Sequence, residues 1–148
     1  MQEYQALFEP AEKWNPKDRG FVVTVPDVPE VVTQGETEAE AMMMAADALA
    51  LILEEYIRQG KPLPPARKHR GSKYRVVRFP AVQAAKITLY ETFLASALRK
   101  AELARRMGIP RTNVDRLFDL RRTAGFPQVE QALHVLGKQL RVTVEDAA

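Results

Sequence analysis

The residues best suited to chemistry sit together in one short run, Arg111-Thr112-Asn113-Val114-Asp115-Arg116-Leu117. Arginine can pair with guanine, asparagine with adenine, and threonine and aspartate with other base edges, so Arg111, Thr112, Asn113 and Asp115 could read sequence in a DNA major groove. Asp115 could accept from a cytosine amino group or orient Arg116 or Arg111. Arg105, Arg106, Arg116, Arg121 and Arg122 are better suited to holding phosphates. Residues for catalysis are sparse by contrast. The stretches that read as strands offer Glu3 alone, so the carboxylate cluster of a two-metal nuclease is not expected. Asp27 and Glu30 share one turn, where acidic residues usually bond locally. His69 and His134 stand alone in different halves, which suggests neither nucleophilic nor zinc chemistry. With no cysteine, disulfides and thiolate metal sites are excluded. A non-enzymatic chain without metal or cofactor is therefore expected.

The arginine-bearing run needs a rigid frame, and the flanking residues supply one. Leu103, Ala104 and Met107 are apolar at helical spacing, and Gly108 stands where that helix should stop. Pro110 lies at or near the start of the next helix, where its missing N–H costs least. Val114, Leu117 and Phe118 repeat at i, i+3 and i+4, giving the second helix one buried face and leaving the polar residues on the other. This is the local form of a helix-turn-helix. Arg99 stands where a Ser or Thr cap would pair reciprocally with Glu102, so no capping box opens the first helix. A preceding helix is expected over Val82 to about Leu98, with Ala85, Leu89, Phe93 and Leu94 inward. A closing helix follows over Val129 to Gly137, and the tail Leu140–Val144 alternates like a strand that could pair with a second copy.

The first half reads differently. Glu3–Phe8, Phe21–Val25 and Val31–Thr33 have strand character, separated by loops rich in Pro, Asn, Asp and Gly. Thr37 and Glu40 form a capping box before a long helix to about Gln59, with Met42, Ala45, Leu49, Ile52 and Tyr56 as its apolar stripe. The Met42-Met43-Met44 run could suggest a plastic binding surface, but one or two of the three are expected to fill core space and the rest to sit at its margin. Lys61–Lys73 is a basic, proline-rich loop, and Tyr74–Phe79 is a fourth strand ended by Pro80. The fold class is α+β: residues 1–80 as β-β-β-α-β and residues 81–148 as all-α.

Charge separates the halves. Residues 1–60 carry twelve acidic and four basic side chains, net −8, and residues 61–148 carry seven acidic and eighteen basic, net +11. An acidic surface suits a basic partner, and a basic surface suits nucleic acid. No apolar run of membrane-spanning length and no basic-then-apolar leader is evident, so a cytoplasmic protein with no membrane partner is expected.

The order of parts resembles the HicB family of type II antitoxins, in the subset ending in a Cro/repressor-like helix-turn-helix. Gly20-Phe21-Val22-Val23, Pro26-Asp27-Val28-Pro29, Thr33-Gln34-Gly35-Glu36-Thr37 and Ala46-Asp47-Ala48-Leu49 carry the likeness in the first half. Glu102–Gly108 and Arg116–Leu120 carry it in the second. The resemblance implies a partial ribonuclease-H-like (RNase H-like) fold over residues 1–80 that neutralises a small basic HicA-like mRNA-cleaving toxin. It also implies that residues 81–148 bind operator double-stranded DNA and repress the operon, in a homodimer or higher oligomer. For toxin contact the candidates are Asp27, Val28 and Glu30, with the acidic early helix. Two other readings are a free-standing repressor with a ligand-sensing N-terminal domain and a degenerate nuclease-fold enzyme.

Overall fold

The computed structural model describes residues 2–122 and 125–147. Strands β1 (Gln5–Pro10), β2 (Phe21–Thr24), β3 (Val32–Gly35) and β4 (Tyr74–Val76) form one antiparallel sheet in the order β3-β2-β1-β4. Because side chains alternate along a strand, Ala6, Phe8 and Val23 point to one face and are buried there. Helix α1 (Glu38–Arg58) covers that face. The connection from β3 to α1 depends on Gly35, where a Cβ would come within 2.5 Å of the Ala41 nitrogen. Only glycine allows that approach.

Thr37 caps α1 as its sequence suggests, its Oγ1 accepting the Glu40 N–H at 3.1 Å. The reciprocal bond differs from expectation: the Glu40 carboxylate accepts the Glu36 N–H at 3.4 Å rather than that of Thr37. The buried stripe is also rotated. Ala41, Ala45, Ala46, Leu49, Ala50, Leu53 and Ile57 face the core, while Met42, Ile52 and Tyr56 are half-buried along its flanks. Alanines permit close approach of helix to sheet, and the larger residues fill the margins. Met43 and Met44 lie outside the core altogether and are exposed.

The turn after β2 is drawn inward. Val28 N–H donates to the Val25 carbonyl at 2.9 Å and Val31 N–H to the Val28 carbonyl at 3.0 Å. These successive turns bury Val25, Val28 and Val31 completely or nearly so.

Four helices complete the chain: α2 (Ala81–Ser96), α3 (Lys100–Met107), α4 (Arg111–Leu117) and α5 (Phe126–Val135). Helix α2 buries Ala85, Lys86, Ile87, Leu89, Tyr90 and Phe93, more than one narrow stripe would, because it is packed on several sides. Tyr90 and Phe93 place their rings 5.6 and 5.2 Å from that of Phe118. The Tyr90 hydroxyl donates to the Lys61 carbonyl at 2.8 Å, tying α2 to the loop before β4. Buried side chains from both halves form one continuous cluster. The expected terminal strand is not formed: residues 140–144 are irregular, with Val142 and Val144 exposed. Alternation makes a segment strand-competent, but a strand also needs a neighbour to complete its ladder.

Candidate functional site

Arg99 flanks the start of helix α3; it is extended (φ −90°) and makes no side-chain cap. Freed from capping, the Glu102 carboxylate accepts from Arg105 Nε and Arg106 Nε, both at 3.0 Å. Hydrogen bonds from Arg105 and then Arg106 hold its pKa down to about 2. Gly108 ends the helix in the left-handed region (φ +69°), and Ile109 N–H reaches back to the Ala104 carbonyl at 3.1 Å. Pro110 is the residue flanking α4 rather than its first turn, and its carbonyl accepts the Asn113 N–H at 2.9 Å.

Leu103, Ala104 and Met107 of α3 are buried against Val114, Leu117 and Phe118 of the α4 region, and α5 closes the group through Val129, Ala132 and Leu133. Arg111, Thr112, Asp115 and Arg116 are consequently left exposed, and Asn113 half-exposed, on the outer side of α4. Asp115 is engaged by an unforeseen partner: Lys100 Nζ lies 2.7 Å from its Oδ1, which replaces the expected pairing with Arg116 or Arg111. Arg121 and Arg122 are exposed and share Asp119, at 3.3 and 3.4 Å. Arg105 and Arg106 are exposed around Glu102. Among the described residues, Arg111 and Arg116 are in no ion pair. The surface thus offers two free guanidiniums on α4 and four tethered ones around it.

Beneath this surface lie two charged groups that sequence reading missed. Lys86 of α2, 1% exposed, donates all three ammonium hydrogens to carbonyls: Arg122 at 2.8 Å, Asp119 at 2.9 Å and Arg116 at 3.3 Å. Those carbonyls end α4 and form the following turn, so one ammonium satisfies acceptors that the helix terminus leaves open. Glu54 of α1, 6% exposed, accepts the Leu120 N–H at 2.7 Å. Burial lowers the Lys86 pKa and raises that of Glu54, each partly offset by nearby charge or hydrogen bonding. The signals were present: Glu54 is in helical phase with Ala46, Ala50 and Ile57, and Lys86 interrupts an apolar run.

The turn at 26–30 behaves differently from expectation. Val28 is core, fully buried, and offers no side chain to a partner. Asp27 is mostly buried and faces inward, its carboxylate oxygens each 3.2 Å from His69 Nε2. His69 is therefore not alone, as its isolation in sequence suggests; Asp27 pairs with it from forty-two residues away. Asp27 Oδ2 also accepts the Arg67 N–H at 2.7 Å, Gln2 Oε1 accepts that of Ala66 at 2.6 Å, and the His69 ring stacks on Tyr74 at 5.2 Å. The cluster pins the basic loop to the sheet. Glu30 is the one exposed member of the three. His134 is exposed on α5. Among the described residues, no three His, Cys, Asp or Glu side chains converge as a metal site would require, and no helix is long and apolar enough to cross a membrane.

A family profile described as a HicB-like antitoxin of bacterial toxin–antitoxin systems matches residues 4–88. "Antitoxin HicB 1" of Photorhabdus laumondii is 36% identical over 142 residues, covering 96% of this chain and 86% of that protein. "Antitoxin HicB" of Pseudomonas fluorescens is 35% identical over 141 residues, 95% and 97% of the two chains. "Antitoxin HicB" of Escherichia coli K12 is 38% identical over 128 residues, 84% and 90% of the two.

Proposed function

The chain belongs to the HicB-like antitoxin family of bacterial toxin–antitoxin systems, and from that premise we propose that it is a two-sided antitoxin and autorepressor. Residues 1–80, a partial RNase H-like domain, neutralise a small basic mRNA-cleaving toxin of the HicA type. Residues 81–148, a Cro-like helix-turn-helix domain, bind operator double-stranded DNA. The observation that carries the DNA half is the outer side of α4: its apolar residues are all buried, and its exposed residues are those that pair with bases. Arg111, Thr112 and Asn113 read bases. Arg116 stands free beside them, and Arg105, Arg106, Arg121 and Arg122 hold phosphates from positions set by Glu102 and Asp119. Asp115, neutralised by Lys100, positions rather than reads.

The toxin half is supported by the antitoxin names of the relatives and by the net charge of −8 over residues 1–60, which suits a basic protein. Neutralisation by binding asks for no catalysis, so we assign none. A homodimer or higher oligomer would present two copies of α4 to an operator, with half-sites spaced by about one helical turn. Both proposed targets, mRNA-cleaving toxin and operator, place the protein in the cytoplasm.

Co-expression with the product of the adjoining reading frame, followed by footprinting on upstream DNA, tests both halves. Co-purification, rescue of growth and a protected upstream site are expected. No binding to that product would remove the toxin half, and protection no stronger than on unrelated DNA would remove the operator half.

A further inference from the structure

The outward side of α1 carries a stripe that the fold leaves uncovered. Met43 is 60% exposed, Met44 40% and Leu51 66%. They alternate along the helix with exposed Glu40, Asp47 and Glu55. These positions recur at three- and four-residue steps, so they form one line about 22 Å long from Glu40 to Glu55. Large apolar side chains are usually placed inward on a helix this long, and three on its solvent side mark an interaction surface. Methionine suits that role, because its flexible thioether adapts to a partner's contour. Nothing in the fold needs these residues, since the core side of α1 is already filled by Ala41, Ala45, Leu49, Leu53 and Ile57.

Charge selects the occupant. Asp47 makes no ion pair among the described residues. Glu40 accepts the Glu36 N–H, and Glu55 pairs with Arg58. Lys17 and Arg19 border the Glu40–Met44 end and Arg121 borders Asp47 and Leu51, and among the described residues none of these three is in an ion pair with the stripe. A second copy of this chain fits poorly: antiparallel pairing about Leu51 would set Asp47 against Glu55 of the other copy. A basic protein with an apolar centre fits both parts of the stripe.

We propose that the Met43–Met44–Asp47–Leu51–Glu55 stripe of α1 is the docking surface for the basic toxin, rather than the turn at residues 26–30. This rests on the antitoxin reading above. The stripe borders a shallow groove of about 190 Å³ that runs past Asp47, Leu51 and Glu54 to Leu120. A toxin seated there lies against the junction between the two halves of the chain.

The test is titration calorimetry of the full chain against a catalytically silenced form of the protein encoded by the adjoining reading frame. Wild-type chain, Leu51→Asp, Asp47→Lys and Asp47→Asn are compared, each with its thermal midpoint measured. The replaced side chains are exposed, so the midpoints should stay within a few degrees. Leu51→Asp and Asp47→Lys are each expected to weaken binding by about 30-fold or more, and Asp47→Asn by less. If the wild-type chain binds and the variants bind equally well, this assignment is overturned while the antitoxin reading stands. If the wild-type chain does not bind, that reading fails and takes this one with it. Conversion of a wild-type dimer to a monomer by Leu51→Asp, with toxin affinity unchanged, would identify the stripe as a contact between copies and overturn the proposal.

Discussion

The Glu54 carboxylate on α1 accepts the backbone N–H of Leu120, just beyond α4, at 2.7 Å and across sixty-six residues of chain. The bond joins the acidic half to the turn that supports the arginine surface. Leu120 is itself 1% exposed, so its N–H has no water to turn to.

Removing the acceptor should therefore cost more than removing the charge. Glu54→Ala is expected to lower stability by about 1–3 kcal/mol, the usual cost of a stranded buried donor. Glu54→Gln keeps an acceptor oxygen and should lose less. Urea unfolding of the two variants beside wild type measures this, and equal losses would show that the carbonyl oxygen is not what matters.

The same pair sets a pH dependence. Burial raises the pKa of Glu54 in the folded chain, so the native state holds this proton more tightly than the unfolded state. Its stabilising contribution is present below the ordinary glutamate pKa. It is lost as pH rises through the raised folded value. A glutamine side chain does not titrate, so the Glu54→Gln variant should gain stability relative to wild type as pH climbs across that window. A difference that is flat with pH would contradict the assignment.

Lys86 offers a sharper case, because one ammonium serves three carbonyls. Lys86→Met preserves length and apolar bulk but leaves those acceptors without donors. We expect a loss of about 3 kcal/mol, together with faster amide exchange at the end of α4 and around residues 119–122. Unchanged exchange in that segment would show that the lysine does not hold it.

On DNA, Arg111→Ala should cost about 1–3 kcal/mol on the operator and little on unrelated duplex. Arg121→Ala should weaken both alike and reduce the slope of affinity against salt by about one. Anisotropy titrations at several salt concentrations separate the two. Identical losses on every sequence would contradict the division into base and phosphate contacts.

For the pinned loop, Asp27→Ala removes the acceptor shared by Arg67 N–H and His69 Nε2. Trypsin should then cut faster after Arg67, Lys68 or Arg70, with Asp27→Asn intermediate because it keeps an oxygen for the backbone. Cleavage at the wild-type rate would mean that other contacts hold the loop.

Much of this was legible in the sequence because it is local. A glycine ends one helix and a proline two residues on flanks the next, a threonine three residues before a glutamate caps a third, and a run of β-branched and aromatic residues makes a strand. Hence Gly108, Thr37 and Phe21–Thr24 stand where their types placed them. Segments whose fate depends on a neighbour were not legible. The alternating tail at 140–144 has no strand beside it, and the rotation of the α1 stripe follows from how closely Ala41, Ala45 and Ala46 let helix approach sheet.

Local sequence was enough for the order of strands and helices as far as α5, for the acidic and basic halves, and for the side of α4 that carries Arg111 to Arg116. Tertiary structure alone decided which charges are free and which are spent. It gave Asp115 to Lys100, Asp27 to His69, Glu54 to Leu120 and the Lys86 ammonium to three carbonyls. The reason is physical. Propensity and periodicity act over a few residues, whereas the cost of burying a charge or a lone N–H is settled by whatever partner folding brings within about 3 Å.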